Sequence, residues 1–395
     1  MKYTKAYSKT LLILVIITAV AIDVSIPVLP IITEHFGVET SQSQLIISSF
    51  LAGYGLFMIP LGLISDRYGR LPVIYFGLIL YVLAGFVVAF AWRFEVVLLG
   101  RFLQGIGGGV GAVIARAVAR DLCTGKALAK LMSAIVTALA ITTLVSPLIG
   151  SFLYTIWGWQ ATFLVSPILG LIVLIGVWLT AFETVTKQQN PINFQQQLIG
   201  SSKIFFEAKN SVWALWILVG VFSGHQIILT NASLLMVDIY GMKAGQVGLI
   251  FGLASGCYIA FNFLNSYLLK KSNPIALLRY GIMLISLSAI GLVFCQWVGD
   301  LPFWVIWFFC CLFVASMGFL FPNTNIIAMD PLPQIAGFAS SILGAFMIMG
   351  GAIATAIAAN FYNSTVFSIT AAIIFCSLFT TIIYFIKPNA AKPLP

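Results

Sequence analysis

Apolar residues in this chain run in long blocks separated by short polar stretches. A helix rises 1.5 Å per residue, so about 20 apolar residues cross the hydrocarbon of a bilayer. Blocks of that length lie at 11–32, 43–63, 72–91, 96–117, 130–153 and 160–181, then at 211–232, 246–268, 276–297, 302–323, 337–359 and 364–386. The expectation is an all-α membrane protein with twelve transmembrane helices. Most connections are short, so neighbouring spans are antiparallel. The exception is 183–210, a polar, Gln-rich segment carrying Pro191. It divides the chain into residues 1–182, a linker 183–210, and residues 211–395, two sets of six spans. That is the plan of carriers built from two related halves. An echo supports the division: "GLISDRYGRLPVIYFGL" follows the second span and "NSYLLKKSNPIALLRYG" the eighth. Each is a basic turn with a proline, followed by a new apolar helix. The first block contains Asp23 and lacks a small-residue cleavage site, so it is expected to be a span rather than a cleaved signal.

Composition agrees. Of 395 residues, 61% are hydrophobic and 8% charged, whereas a soluble domain carries roughly 25% charged residues. Mean hydropathy is +1.07. The formal net charge of +9 would raise nucleic acid in a soluble protein. Here no basic cluster with a stacking surface occurs, and nucleic-acid binding is not expected. Instead the basic residues follow topology. With the N-terminus inside, Arg93 and Lys243 fall on outer loops and Arg101 inside a span, and the other lysines and arginines lie on cytoplasmic segments and helix ends. The positive-inside rule then puts both termini in the cytoplasm. The six cysteines have no metal-ligand spacing and read as small buried hydrophobes.

Ionisable groups at bilayer depth are costly and are functional candidates by default. Asp23 lies in "AIDVSIPVLP", about 13 Å from the outer end of the first span at 1.5 Å per residue. Low dielectric disfavours a carboxylate there, which suits a proton carrier; the alternative is a permanent structural ion pair. Pro27 and Pro30 invite a bend in the same span. Arg101 opens "RFLQGIGGGVGAVIARAVARDL", about 8 Å deep, near the depth of Asp23. It can hold Asp23 ionised when near, or it can snorkel to the outer headgroups. The five glycines from Gly105 to Gly111 cost helix propensity and allow another helix to approach closely. Arg116 is either a cytoplasmic anchor or a cation at a cavity mouth. His225, mid-span, could relay protons or tie helices together.

"GLISDRYGRLPV" resembles the loop 2–3 signature of the major facilitator superfamily, through Gly62, Asp66, Arg67, Gly69 and Arg70; Leu71 stands where a second basic residue is common. "RFLQGIGGG" resembles its fourth-span signature through Arg101, Gln104 and Gly105. "SPLIGS" is similar to the antiporter signature of the fifth span, matching at Pro147 and Gly150, with Ser146 and Ser151 in place of usual glycines. "AIDVSIPVLP", "ARAVARDL", "GWQATF" and "GFASSILGAFMIMGGAIATAI" look most like the drug-exporting, proton-antiporting branch of Bcr/CflA type. The resemblance covers nearly the whole chain.

That resemblance implies two pseudo-symmetric six-helix bundles in the inner membrane, working as a monomer, with small-molecule substrate and protons as partners. It implies proton-coupled efflux of amphipathic compounds, with Asp23 protonated from outside and deprotonated inside. Dedicated export or uptake of one metabolite, such as a siderophore, is the alternative. Asp66 can meet a helix dipole, most plausibly that of the eleventh span, and Arg67 or Arg70 can pair with Asp121, latching the cytoplasmic side. No cofactor is expected, and without a Walker-type loop ATP is not the energy source. An intramembrane enzyme would need a convergent catalytic set that two distant histidines do not supply. A transporter-like sensor would be expected to carry a signalling domain or a long tail.

Overall fold

The computed structural model describes residues 2–123, 125–184, 194–299, 301–363 and 365–388. Its helices are α1 (Lys2–Asp23), α2 (Leu29–Phe36), α3 (Ser43–Tyr68), α4 (Arg70–Ala89), α5 (Phe94–Leu122), α6 (Gly125–Trp157) and α7 (Trp159–Thr180). There follow α8 (Phe194–Glu207), α9 (Lys209–Leu234), α10 (Ala244–Leu268), α11 (Pro274–Val298), α12 (Phe303–Met329), α13 (Ala336–Asn360) and α14 (Val366–Phe385). Among the described residues twelve stretches are long and apolar enough to cross a bilayer, the first formed by α1 and α2 together. Large apolar side chains on the helices face outward, among them Trp178 (73% exposed) and Phe375 (70%). In water that surface would be a liability; in lipid it is the solvated face.

The helices form two compact units, Met1–Pro191 with Gly241–Gly252, and Ile192–Tyr240 with Leu253–Pro395. In the first unit α5 packs on α1, α3 and α4. Its glycines make that possible. A methyl on Gly105 would overlap the Phe50 carbonyl oxygen of α3, and one on Gly111 the Leu14 carbonyl oxygen of α1. Close backbone approach is therefore what the glycine run does, as small residues do between membrane helices. Buried polar groups are tied across helices, Tyr81 Oη donating to Ile17 O at 2.7 Å and Thr18 Oγ1 to Gly108 O at 2.9 Å. In the second unit α9 is the central helix, packed against α12, α13 and α14. Ser211 Oγ donates to Ala328 O (2.7 Å), Trp213 Nε1 to Ile383 O (2.8 Å), and Asn323 Nδ2 to Asn265 Oδ1 (2.6 Å).

Two local features differ from the apolar blocks. The first span is not one helix over 11–32: α1 stops at Asp23, a 3-10 turn covers Ile26–Val28, and α2 resumes at Leu29. Proline has no N–H, so Pro27 removes the donor that would reach the Asp23 carbonyl four residues back. The polar segment 183–210 also contains α8, whose Phe205 is buried and whose Phe206 ring lies 6.0 Å from Phe346 of α13.

Candidate functional site

Asp23 ends α1 at the break and is 5% exposed. Its hydrogen-bonding neighbour is the side chain of Thr143 on α6. It makes no ion pair among the described residues. Thr143 and Gly150 are seven residues apart, two turns, and so share one face of α6. A methyl on Gly150 would overlap the Val24 carbonyl oxygen, which is how that face comes to lie against the break. Pro147, inside α6, cannot donate to the carbonyl of Thr143. The fifth-span motif thus builds a wall of the site. Pro27 and Pro147 thus each leave a carbonyl, that of Asp23 and that of Thr143, without its helical donor on the two elements that meet at the break.

Arg101 is fully buried on α5. Nη1 donates to Ala21 O at 3.0 Å and to Gln104 Oε1 at 2.9 Å, and Nε to Ile46 O at 3.4 Å. The guanidinium carbon lies 4.5 Å from the Phe50 ring centre and 5.6 Å from that of Phe163. Nη2 has no hydrogen-bond partner among the described residues. Arg101 neither snorkels nor pairs with Asp23 in this arrangement. It is anchored to the carbonyl of Ala21, two residues before Asp23. Gln104 orients the guanidinium, and Gly105 brings α3 close enough to set Phe50 beside it.

The loop 2–3 motif assembles a second cluster at the other end of the first unit. Arg70 Nη1 donates to Asp66 Oδ1 and, at 2.8 Å, to Ser65 Oγ; Nε donates to Asp121 Oδ2 at 3.1 Å. Of the two arginines expected to meet Asp121, Arg70 does so, and Arg67 is exposed with its guanidinium 5.5 Å from the Tyr68 ring centre. Gly62 is half-buried and its carbonyl accepts from Ser65 Oγ at 2.7 Å. Gly69 has φ +102°, a left-handed value that favours glycine. Two residues of this cluster escaped the sequence reading. Glu183 accepts the backbone N–H groups of Arg70 (2.9 Å) and Leu71 (3.1 Å), and Thr184 Oγ1 donates to Asp121 Oδ2 at 2.9 Å. They sat at the start of a polar linker, where an acid carries no periodic signal.

Arg116 is half-buried on α5 and belongs to neither cluster. His225 lies on α9 in the second unit, its ring 6.3 Å from Phe222, and its Nδ1 has no hydrogen-bond partner among the described residues.

The family model described as Major Facilitator Superfamily matches residues 11–355. Multidrug resistance protein D of Escherichia coli (strain K12) is 27% identical over 356 residues, 88% of each chain. The bicyclomycin resistance protein homolog of Haemophilus influenzae is 27% identical over 370 residues, 92% of this chain and 91% of that one. Among solved structures, a bacterial homolog of the human lysosomal transporter Spinster superposes with TM-score 0.73 at 13% identity, covering 98% of this chain and 97% of that one. A D-xylose–proton symporter superposes with TM-score 0.74 at 15% identity, covering 95% and 96%. A twelve-span helical fold, a family model matching most of the length and motif residues gathered into two clusters lead to one conclusion: the chain belongs to the major facilitator superfamily of membrane transporters.

Proposed function

We propose that the protein exports small amphipathic compounds across the bacterial inner membrane in exchange for protons, by alternating access. In this reading it works as a monomer with both termini in the cytoplasm. The observation that carries the proposal is Asp23: a buried carboxyl with no ion pair among the described residues, set at a helix break. Leaving a charge unpaired at such a site costs several kcal/mol. Its charge is therefore linked to the arrival of a proton or of a cationic or donor-bearing cargo. Proton and cargo compete for the same carboxyl, and competition is what exchange requires.

Arg101 stands in the same stretch of the first unit with its Nη2 amino group, two buried N–H donors, unpartnered among the described residues, which is itself costly. A small shift of α1 relative to α5 would let that group meet the Asp23 carboxylate once the proton has left. The names of the relatives, a multidrug resistance protein and a bicyclomycin resistance homolog, favour export of drug-like compounds. The Asp66–Arg70–Asp121 cluster serves as the cytoplasmic latch, and His225 and Arg116 are secondary candidates for cargo contact in their own helices.

Transport in everted membrane vesicles tests this reading. Vesicles acidified inside should accumulate a lipophilic cation such as tetraphenylphosphonium when they carry the wild type. Asp23→Asn should lose accumulation driven by the proton gradient and retain downhill exchange. Gradient-driven accumulation by Asp23→Asn equal to wild type would refute the role of Asp23. A panel in which one compound alone is carried would turn the reading to a dedicated carrier.

A further inference from the structure

We propose that Glu183 is a positioning residue for the Asp66–Arg70–Asp121 cluster, acting as a helix cap supplied from the far end of the same bundle. The first N–H groups of a helix have no acceptor within it. At the start of α4 the preceding residue is Gly69, which has no side chain to offer. Glu183, just beyond α7, takes that role with both oxygens: Oε1 accepts Arg70 N–H at 2.9 Å and Oε2 accepts Leu71 N–H at 3.1 Å. An anion at a helix N-terminus also meets the positive end of the helix dipole.

The cap and the ion pairs share one residue. Arg70 is held by its backbone to Glu183 and by its guanidinium to Asp66 and Asp121. Thr184 closes the circuit, donating to the same Asp121 oxygen that accepts Arg70 Nε, at 2.9 Å and 3.1 Å. Gly69 completes the fit from below: a Cβ there would stand 2.6 Å from Glu183 Oε2, so glycine serves both the positive φ and the carboxylate's approach. Three segments far apart in sequence, residues 65–71, 121 and 183–184, thus meet on one arginine. The chain that leaves Thr184 leads to the second set of spans. Glu183 and Thr184 therefore fasten the start of that connection to the latch, and latch release must loosen the connection too.

The functional consequence rests on the transport reading above; the cap itself does not. Hydrogen–deuterium exchange on the full chain in lipid nanodiscs reads the cap directly. Glu183→Ala should speed exchange of the first-turn amides of α4 roughly fivefold, the loss expected for a removed cap. Glu183→Asp should restore part of the protection. In vesicles Glu183→Ala should lower turnover several-fold at unchanged half-saturating tetraphenylphosphonium. Thr184→Val, which keeps the cap, should leave α4 exchange unchanged and lower turnover in the same way. Unchanged exchange in Glu183→Ala would overturn the cap. Faster exchange with wild-type turnover in both variants would overturn the positioning role. Absence of transport by the wild type would count against the transport reading, and the exchange result would still decide the cap.

Discussion

Replacing Arg101 with lysine keeps the charge and removes the fork. The guanidinium spends Nη1 on Ala21 O and Gln104 Oε1 and Nε on Ile46 O, and it lies 4.5 Å from the Phe50 ring centre. An ammonium on a flexible stem can retain one of the short bonds and part of the ring contact, not the geometry. A hydrogen bond to a charged group contributes about 1.5–3 kcal/mol. Losing one, with partial loss of a desolvated cation–ring contact of about 2 kcal/mol or less, predicts a net cost of roughly 2–4 kcal/mol. For a unit of this size each kcal/mol moves the unfolding midpoint by about 2–4 °C, so a fall of about 5–10 °C is expected. The assay is thermal unfolding in detergent followed by tryptophan fluorescence. Arg116→Lys is the control, because Arg116 is half-buried on the same helix and lies outside the network that holds Arg101. It should stay within about 0.5 kcal/mol of wild type, as substitutions away from buried networks do. If Arg101→Lys proves no more harmful than Arg116→Lys, the anchoring role given to the guanidinium is wrong.

Asp121→Asn should weaken the Asp66–Arg70–Asp121 cluster more than Asp66→Asn, because Asp66 is 50% exposed and Asp121 25%, and exposed pairs contribute about 1 kcal/mol or less; comparing turnover of the two variants in vesicles checks the order. Gly105→Ala should lower the unfolding midpoint, since overpacking of about 1–3 kcal/mol outweighs a helix-propensity gain of about 1 kcal/mol. Gly256→Ala in α10, where a methyl would meet nothing within 4 Å, should leave it unchanged or raise it; equal midpoints in the two variants would remove close packing as the reason for the glycines.

Apolar block length read the twelve spans because lipid demands that length of every crossing helix. Ends were less readable. α1 begins at Lys2 and α5 runs on to Leu122, since polar residues continue a helix beyond the hydrocarbon without changing its hydrogen bonding. α8 was hidden because its glutamines and serines break up the short apolar pattern that carries the buried Phe205. Among site residues, Asp23 and Arg101 stood out as charges in apolar surroundings. Their partners did not: a bond to the Ala21 carbonyl and a hydroxyl at Thr143 leave no trace in residue type. Proline was the exception. Pro27 and Pro147 each mark a carbonyl freed four residues earlier, and that rule applied to the sequence points at Asp23 and Thr143 before any coordinates are known. Glu183 was beyond reach, because its acceptors' partners lie 113 and 112 residues away.

The central claim is that proton and cargo compete at Asp23. The most direct test is proton release on cargo addition, measured near pH 7 with purified protein in weakly buffered detergent, for wild type and Asp23→Asn, across cationic, neutral and anionic compounds. The account predicts release from wild type with at least one compound class and none from Asp23→Asn with that class. Cargo binding to wild type without proton release, or equal release from both proteins, would contradict it.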